Sequence, residues 1–565
     1  MKQTFLNLKQ IWLISVFLKI SLSLFSQSVV HVSSAVQLQS AINQASAGDT
    51  IILADGTYLN NTLVISKSYI TVRAATLGGV FLNGTNDIQI LGNYNALSGF
   101  QFTSGSISGT VINVSGSHNT LTQLNFKGYS AQKYINLQGQ YNEISFCNFE
   151  NKPITAPQGD LIHITPDEVL PGYNKIRFCS FQNMPGAGGD NGNECIRISN
   201  GATSTYISRT IVEFCYFNNT GMGDSEAISV KCRENVLRYN TCVNNQRAMF
   251  CFRNGDNNIA YGNFFIGAGG IRVKEANNIY CYNNYFEGSG LGGYTDAVTY
   301  VYYTVNTTYV LNNINFIHNT FVECGNIDLD NGAINNTWAN NIFKKSSGNV
   351  FTGSTTGIAW AGNMYDGTLG VSIPSGMTQA NPKLALNPDG YYGLTLSSPA
   401  IDAASASYPA IMDIANVNDD PALLLDINGQ PRPVSKILKD VGCDEYTTGT
   451  SINHPLALSE VGPSYLVQNF TSTENVINDN VDFKVYPTLA IGSITIDYNL
   501  VSATVVCLSI INMNGIAVKN MIMNENQSAG NHKLTAEISD LKNGIYFVRL
   551  KTGNFMKTLK LIISK

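Results

Sequence analysis

The chain has 565 residues, a formal net charge of −5 at pH 7, and only 13% charged residues. That length supports a large core and more than one domain. The mild acidity excludes a general polyanion binder of the nucleic-acid type, so an acidic ligand has to be met by a local basic patch.

Lys2 and Lys9 precede an apolar run from Ile11 to Phe25 that ends in Ser26-Gln27-Ser28, so residues 1–28 read as a secretory signal peptide. A membrane anchor is the weaker reading, because the run is short for a bilayer span and Lys19 interrupts it. No other segment is apolar enough for stable membrane insertion. Ser34 followed by Val36, Leu38, Ala41, Ile42 and Ala45 predicts one short amphipathic helix stopping by Gly48. Thr50-Ile-Ile-Leu53 and a turn at Asp55-Gly56 then open a long series of short β-branched and aromatic segments punctuated by Asn and Gly.

The series has a rhythm. Phe102, Phe126, Phe149, Phe181, Phe217, Cys242, Phe265, Phe286, Phe321 and Phe343 recur at steps of 24, 23, 32, 36, 25, 23, 21, 35 and 22 residues. A base period in the low twenties with occasional insertions predicts an all-β fold, a right-handed parallel β-helix with the early helix as its cap. Asn240, Asn263, Asn284, Asn319 and Asn341 each lie two residues before such a position and read as a stacked hydrogen-bonding ladder. Most of the 11 cysteines sit in strand-like runs such as Phe146-Cys-Asn-Phe149, which predicts buried free thiols in a column, and no CxxC pair or Cys/His cluster supports zinc. The two long steps, 149 to 181 and 181 to 217, predict loops able to wall a groove.

Between residues 191 and 275 a hexamer repeats: Glu194-Cys-Ile-Arg-Ile-Ser199, Glu226-Ala-Ile-Ser-Val-Lys231, Ala248-Met-Phe-Cys-Phe-Arg253 and Gly269-Gly-Ile-Arg-Val-Lys274. A strand period of two buries the third and fifth positions and turns the fourth and sixth outward to water. Stacked coils then align Lys231, Arg253 and Lys274 at a spacing of about 4.8 Å, beside Arg197 and Arg272 and with Asp224 and Glu226 nearby. Such a stripe suits removal of the proton α to a sugar carboxylate. A hard cation such as Ca²⁺ held by Asp224 and Glu226 would neutralise that carboxylate, Lys231 would act as base beside the cationic Arg253, and Arg253 would serve the leaving oxygen. Arg197, Arg272 and Lys274 are expected to bind substrate. A β-helical glycosidase is disfavoured, because no pair of acids on neighbouring coils is placed to flank a glycosidic bond.

From Asn381 to Glu445 the rhythm fades into an irregular closing end. A Thr-, Ser- and Asn-rich linker is predicted over 447–480, leaving a β-helix domain over 29–446 and a small β-sandwich-like domain over 481–565 with turns at Asn514-Gly515 and Asn543-Gly544.

The hexamer carrying Lys231, with Asn191-Gly-Asn-Glu-Cys-Ile-Arg197, Arg253-Asn-Gly255, Gly270-Ile-Arg-Val273, Asn283-Asn-Tyr-Phe286, Ala47-Gly-Asp-Thr-Ile-Ile52 and Asp55-Gly-Thr-Tyr58, resembles the polysaccharide lyase family of chondroitinase B and related alginate lyases. The resemblance implies a calcium site at Asn191, Asp224 and Glu226, Lys231 as base and Arg253 as acid, with Asn193 competing with Asn191. It departs from the family at Asp224, where Glu is usual, at Asn254, where His often stands, and in a Lys-to-Arg interval one residue longer, assigned to the turn near Gln246-Arg247. The C-terminal segment resembles a type IX secretion sorting domain in Val485-Tyr-Pro487, Met513-Asn-Gly515 and Gly544-Ile-Tyr-Phe547, which implies that the type IX machinery is a partner. The expected function is a secreted or surface lyase of a uronate-containing polysaccharide, alginate first, with a dermatan sulfate lyase or a non-catalytic adhesin as alternatives.

Overall fold

The computed structural model describes residues 27–184, 192–220, 226–244, 249–289, 296–301, 311–329, 334–414, 417–447 and 451–467 of a first unit. Of a second unit it describes residues 483–487, 489–490, 492–500, 502–512, 517–541, 544–552 and 555–563. Most of the expected signal peptide, the stretch 468–480, and Asn514-Gly515 and Asn543 of the expected hairpin turns lie outside the described residues. Among the described residues no helix is long and apolar enough to cross a membrane.

The first unit is a parallel β-solenoid. One flank is a 14-stranded sheet in strict sequence order, and the remaining ladders join in a 24-stranded sheet. A representative coil runs through Val236–Arg238, Thr241–Val243 and Met249–Arg253. The ten positions that set the sequence rhythm pair with one another from Phe102 to Phe343 along one parallel ladder. Their rings stack inside the core, with centroids 4.4 Å apart for Phe102–Phe126 and 4.8 Å for Phe265–Phe286. Beside them runs the asparagine ladder. The backbone N–H of Asn240, Asn263, Asn284, Asn319 and Asn341 each donates to the amide oxygen of the next, at 2.9–3.1 Å, and the ladder continues to Asn363. Each side-chain amide also donates to a core carbonyl, such as Asn263 Nδ2 to Leu237 O at 2.9 Å. These bonds satisfy turn backbone that would otherwise be buried without partners. All ten cysteines of the first unit are buried and free, and Cys147, Cys179 and Cys215 stack on successive coils as expected.

The helix Ala35–Gln44 is N-capped by Ser34, whose hydroxyl accepts from Gln37 N, and it buries Leu38 and Ile42. Gln39 bonds both the N–H and the C=O of Val64, so the helix covers the edge of the first coil with side-chain hydrogen bonds as well as apolar surface.

Two readings are corrected. Residues 381–447 are irregular but do more than close the solenoid's end: they return along its outer flank. Ile411, Ile414, Val417 and Leu423 pack on Tyr261, Tyr282 and Ile317, and Tyr391 packs against Phe264 and Tyr285. Burying those outward aromatic columns gives the segment its place. Residues 451–467, read as linker, also lie on the solenoid. Ile452 and Asn453 donate to Asn428 O, Gly462 N donates to Phe178 O at 2.8 Å, and Ser464 N donates to the Gln123 side chain. The second unit has a three-stranded and a five-stranded sheet around its own apolar core, the sandwich-like arrangement expected.

Asn263→Ala strips the ladder of both its acceptor and its donors at a fully buried point and should cost about 3 kcal/mol, read as a lower midpoint in urea unfolding. Asp444, which accepts from Leu394 N and Asn428 Nδ2, has its carboxyl pushed up to about 7 by burial and by the neighbouring Asp426. A raised carboxyl stabilises the fold at low pH, and that contribution is lost as pH rises through 7. Thermal midpoints of Asp444→Asn should therefore gain on wild type between pH 5 and pH 8.

Candidate active site

The hexamers stack in the expected register. Ile196 pairs with Ile228, Ile228 with Phe250 and Phe250 with Ile271, so Arg197, Ser229, Cys251 and Arg272 form one outward column. Arg253 pairs with Lys274, and Lys231 follows directly after the Val230–Phe252 pair, which brings Lys231, Arg253 and Lys274 into a second column. The strand Glu226–Val230 carries a β-bulge between Glu226 and Ile228. The residue left out of the pairing is Ala227. The Glu226 carboxylate lies 3.9 Å from the Arg253 guanidinium. The turn near Gln246-Arg247, where the longer interval was assigned, lies outside the described residues. Just after Arg253, Asn254 adopts φ 62° and donates to Glu275, and Gly255 passes so close to the Cys232 carbonyl that a Cβ would come within 2.2 Å of it.

The outward columns do not face open water as expected. Lys231 and Lys274 are each 7% exposed, and Ser229 and Cys251 are fully buried. Around Lys231 and Arg197 part of the cover comes from groups brought in by the long coils. Glu194, 2% exposed, lies 3.9 Å from Lys231 and 4.0 Å from Arg197. Burial, and then the nearby Asp160, push its carboxyl up to about 7 against the pull of Arg197 and Lys231. Asp160 accepts from Arg197 Nη1 at 3.3 Å and sits 2.5 Å from His163 Nδ1. Lys152 is buried with three oxygen partners: Gly159 O at 2.8 Å, Gln132 O at 3.1 Å and Asn193 Oδ1 at 3.2 Å. Burial brings its ammonium down to about 8 against the attraction of Asp160 and Glu194.

Of the expected metal ligands, Asn191 and Asp224 lie outside the described residues, and Glu226 presents a buried carboxylate. The amide oxygen of Asn193, the competing ligand, is already taken by Lys152. Among the described residues no group of three or more His, Cys, Asp or Glu could hold a metal ion by itself. A set of amide and carboxylate oxygens still suits a hard cation. Arg272 is half-buried beside Cys251 in the strand Ile271–Lys274.

Lys152, Asp160, His163 and Glu194 had no role assigned from sequence, yet a signal for three of them was present. Asp160-Leu-Ile-His-Ile-Thr165 is a further copy of the hexamer one coil earlier, with Ile162 paired to Ile196 and His163 to Arg197. Asp160, Glu194 and Glu226 all occupy its first position. Lys152 left no such signal, because it lies in a loop.

The chondroitinase B family profile matches residues 32–333, and the profile of the secretion system C-terminal sorting domain matches residues 484–564. Among solved structures the chain is similar to AlyGC, an alginate lyase of polysaccharide lyase family 6, at 25% identity with a TM-score of 0.60, covering 68% of this chain and 59% of that one. It is similar also to a mannuronic acid specific family 6 lyase from human gut microbiota, at 22% identity and a TM-score of 0.55, covering 63% of this chain and 91% of that one. A family 6 alginate lyase in complex with a trisaccharide gives 18% identity and a TM-score of 0.56, covering 67% of this chain and 93% of that one. The last two likenesses bear on fold alone. The chain spans about three fifths of the length of AlyGC. No curated protein matches it. With the profile extending over every described residue of the stripe and over more than half of the chain, the protein belongs to the chondroitinase B family and carries a secretion sorting domain at its C-terminus.

Proposed function

We propose that the protein is an exported polysaccharide lyase that cleaves a uronate-containing polysaccharide, alginate, by β-elimination. The observation that carries this reading is the stacking of Lys231 and Arg253 on adjacent coils inside a column of cations, each with a carboxylate about 4 Å away. Lys231 Nζ takes the proton at C5, α to the carboxylate. The electron pair forms the C4–C5 double bond as the C4–O4 bond breaks, and Arg253 supplies the proton to the departing O4. Asn191, Asp224 and Glu226 are the residues to hold Ca²⁺, which when bound would neutralise the substrate carboxylate. Together with Lys231 and Arg253, the residues Arg197, Arg272 and Lys274 put a cation on each of four successive coils, which suits a polymer with a carboxylate on every sugar. Dermatan sulfate is the second reading, favoured by the family's own name.

Ultraviolet absorbance of unsaturated product on alginate and dermatan sulfate decides among these. Product from alginate supports the reading, product from dermatan sulfate alone replaces the substrate, and binding without product leaves an adhesin. Lys231→Ala should abolish elimination. Because Lys231 is buried beside Glu194, the variant should also lose some stability, with Arg197 left as the cation near Glu194, and adding Glu194→Gln should restore most of the thermal midpoint. More than a few per cent of wild-type activity in Lys231→Ala would assign the base elsewhere. Chelation should lower activity and added Ca²⁺ restore it, with Glu226→Gln needing more Ca²⁺ for half activity; full activity after exhaustive chelation would remove calcium from the mechanism.

A further inference from the structure

One coil before the stripe lies a polar group that the elimination does not use. Asp160 is 1% exposed, and both its oxygens are engaged, Oδ2 with His163 Nδ1 at 2.5 Å and Oδ1 with Arg197 Nη1 at 3.3 Å. Although burial works against it, the His163 hydrogen bond and charge, then Arg197 and Lys133, hold its carboxyl down at about 2, so it is ionised throughout the neutral range. An ionised Asp160 accepts the proton on Nδ1 and so fixes the orientation of the ring. In the imidazolium form Nε2, on the opposite edge, is a donor as well, suited to an anionic partner, and no hydrogen bond from a described residue reaches it.

His163 pairs with Arg197 and Arg197 with Ser229, so the three side chains lie in one column. Among the described residues, buried Arg197 Nε and Ser229 Oγ have no hydrogen-bond partner. The parts of the column that a ligand can reach are the rest of the Arg197 side chain, 29% exposed, and the His163 ring, 11% exposed. On the coil before, the column turns neutral at Asn136, which bonds Thr165 and Asn113. His163 stands about two strand spacings, roughly 10 Å, from the coil of Lys231. That is too far for His163 to reach the proton Lys231 takes, and it suits the carboxylate of a different sugar on the same chain.

We propose that His163 and Arg197 form a second carboxylate subsite for a non-reacting uronate, with Asp160 as its positioning residue. The subsite rests on the uronate-lyase reading above, and the test separates the two. Wild type, His163→Ala, His163→Gln and Asp160→Asn are compared on polymeric alginate and on alginate oligosaccharides of increasing length, with circular dichroism to establish folding. His163→Ala should raise KM for the polymer about tenfold, the value of one charge-assisted hydrogen bond, with kcat within roughly a factor of two. The fall in KM with increasing oligosaccharide length should flatten. Asp160→Asn should reproduce the KM effect without touching substrate, and His163→Gln, which keeps a hydrogen-bonding amide, should recover part of it. Should His163→Ala fail to fold, His163→Gln and Asp160→Asn carry the same comparison. An unchanged KM and length dependence in folded variants overturns the subsite while the lyase stands. A fall in kcat at constant KM also overturns it, by placing His163 in the chemistry. Absence of product from wild type on every uronate polymer removes the lyase reading and the subsite together.

Discussion

Every coil of the solenoid must sit one strand spacing from the next, so each side chain finds its own equivalents above and below it. Inside the core this constraint is met by residues that tolerate a copy of themselves. Phenylalanine rings stack, thiols pack as small hydrophobes, and asparagine, with donor and acceptor on one amide, passes a hydrogen bond from coil to coil. An aspartate could accept but not donate, and a leucine could do neither. The ladder therefore fixes residue type at the turn more strictly than the apolar ladders do.

The same constraint creates the site. Asp160, Glu194 and Glu226 repeat at one position of successive coils, and like charges at that spacing repel. The protein answers with a second set of positions carrying Arg197, Lys231 and Arg253, and with Lys152 reaching in from a loop. Glu194, between two other acids and largely desolvated, is the one whose carboxyl is driven upward. The electrostatic character of the stripe thus follows from stacking: a column of acids compensated by cations from the two outward columns, deep enough for each charge to be felt.

Much of this was legible in the chain. The ten aromatic or thiol positions, the asparagine ladder and the four hexamers predicted pairings that the structure reproduces residue by residue, because stacking turns sequence period directly into spatial adjacency. What escaped depends on how insertions fold. The burial of Lys231 comes from residues such as Glu194 that the long coils bring over it, and Lys152 belongs to a loop without periodicity. The copy beginning at Asp160 is hard to see in the sequence because its outward residues, His163 and Thr165, do not share the charges of the later copies. The flank segment 381–447 has no repeat at all, and its position follows from outward tyrosines that sequence alone cannot distinguish from inward ones.

That segment changes the kind of object the solenoid is. A stack whose coils touch only their neighbours unfolds like a zipper, fraying from an end with little consequence for the middle. Here Asp419 bonds Arg238 and Tyr261, and Arg432, wholly buried against Glu445, donates to Asn283 and to Gly442 O. Late residues thereby tie down coils more than a hundred positions earlier, so the final coils cannot peel away while the flank remains docked. The coils nearest Lys231 are held by a lengthwise strap, and a protease working from the C-terminal side would meet a cooperative barrier instead of a loose end.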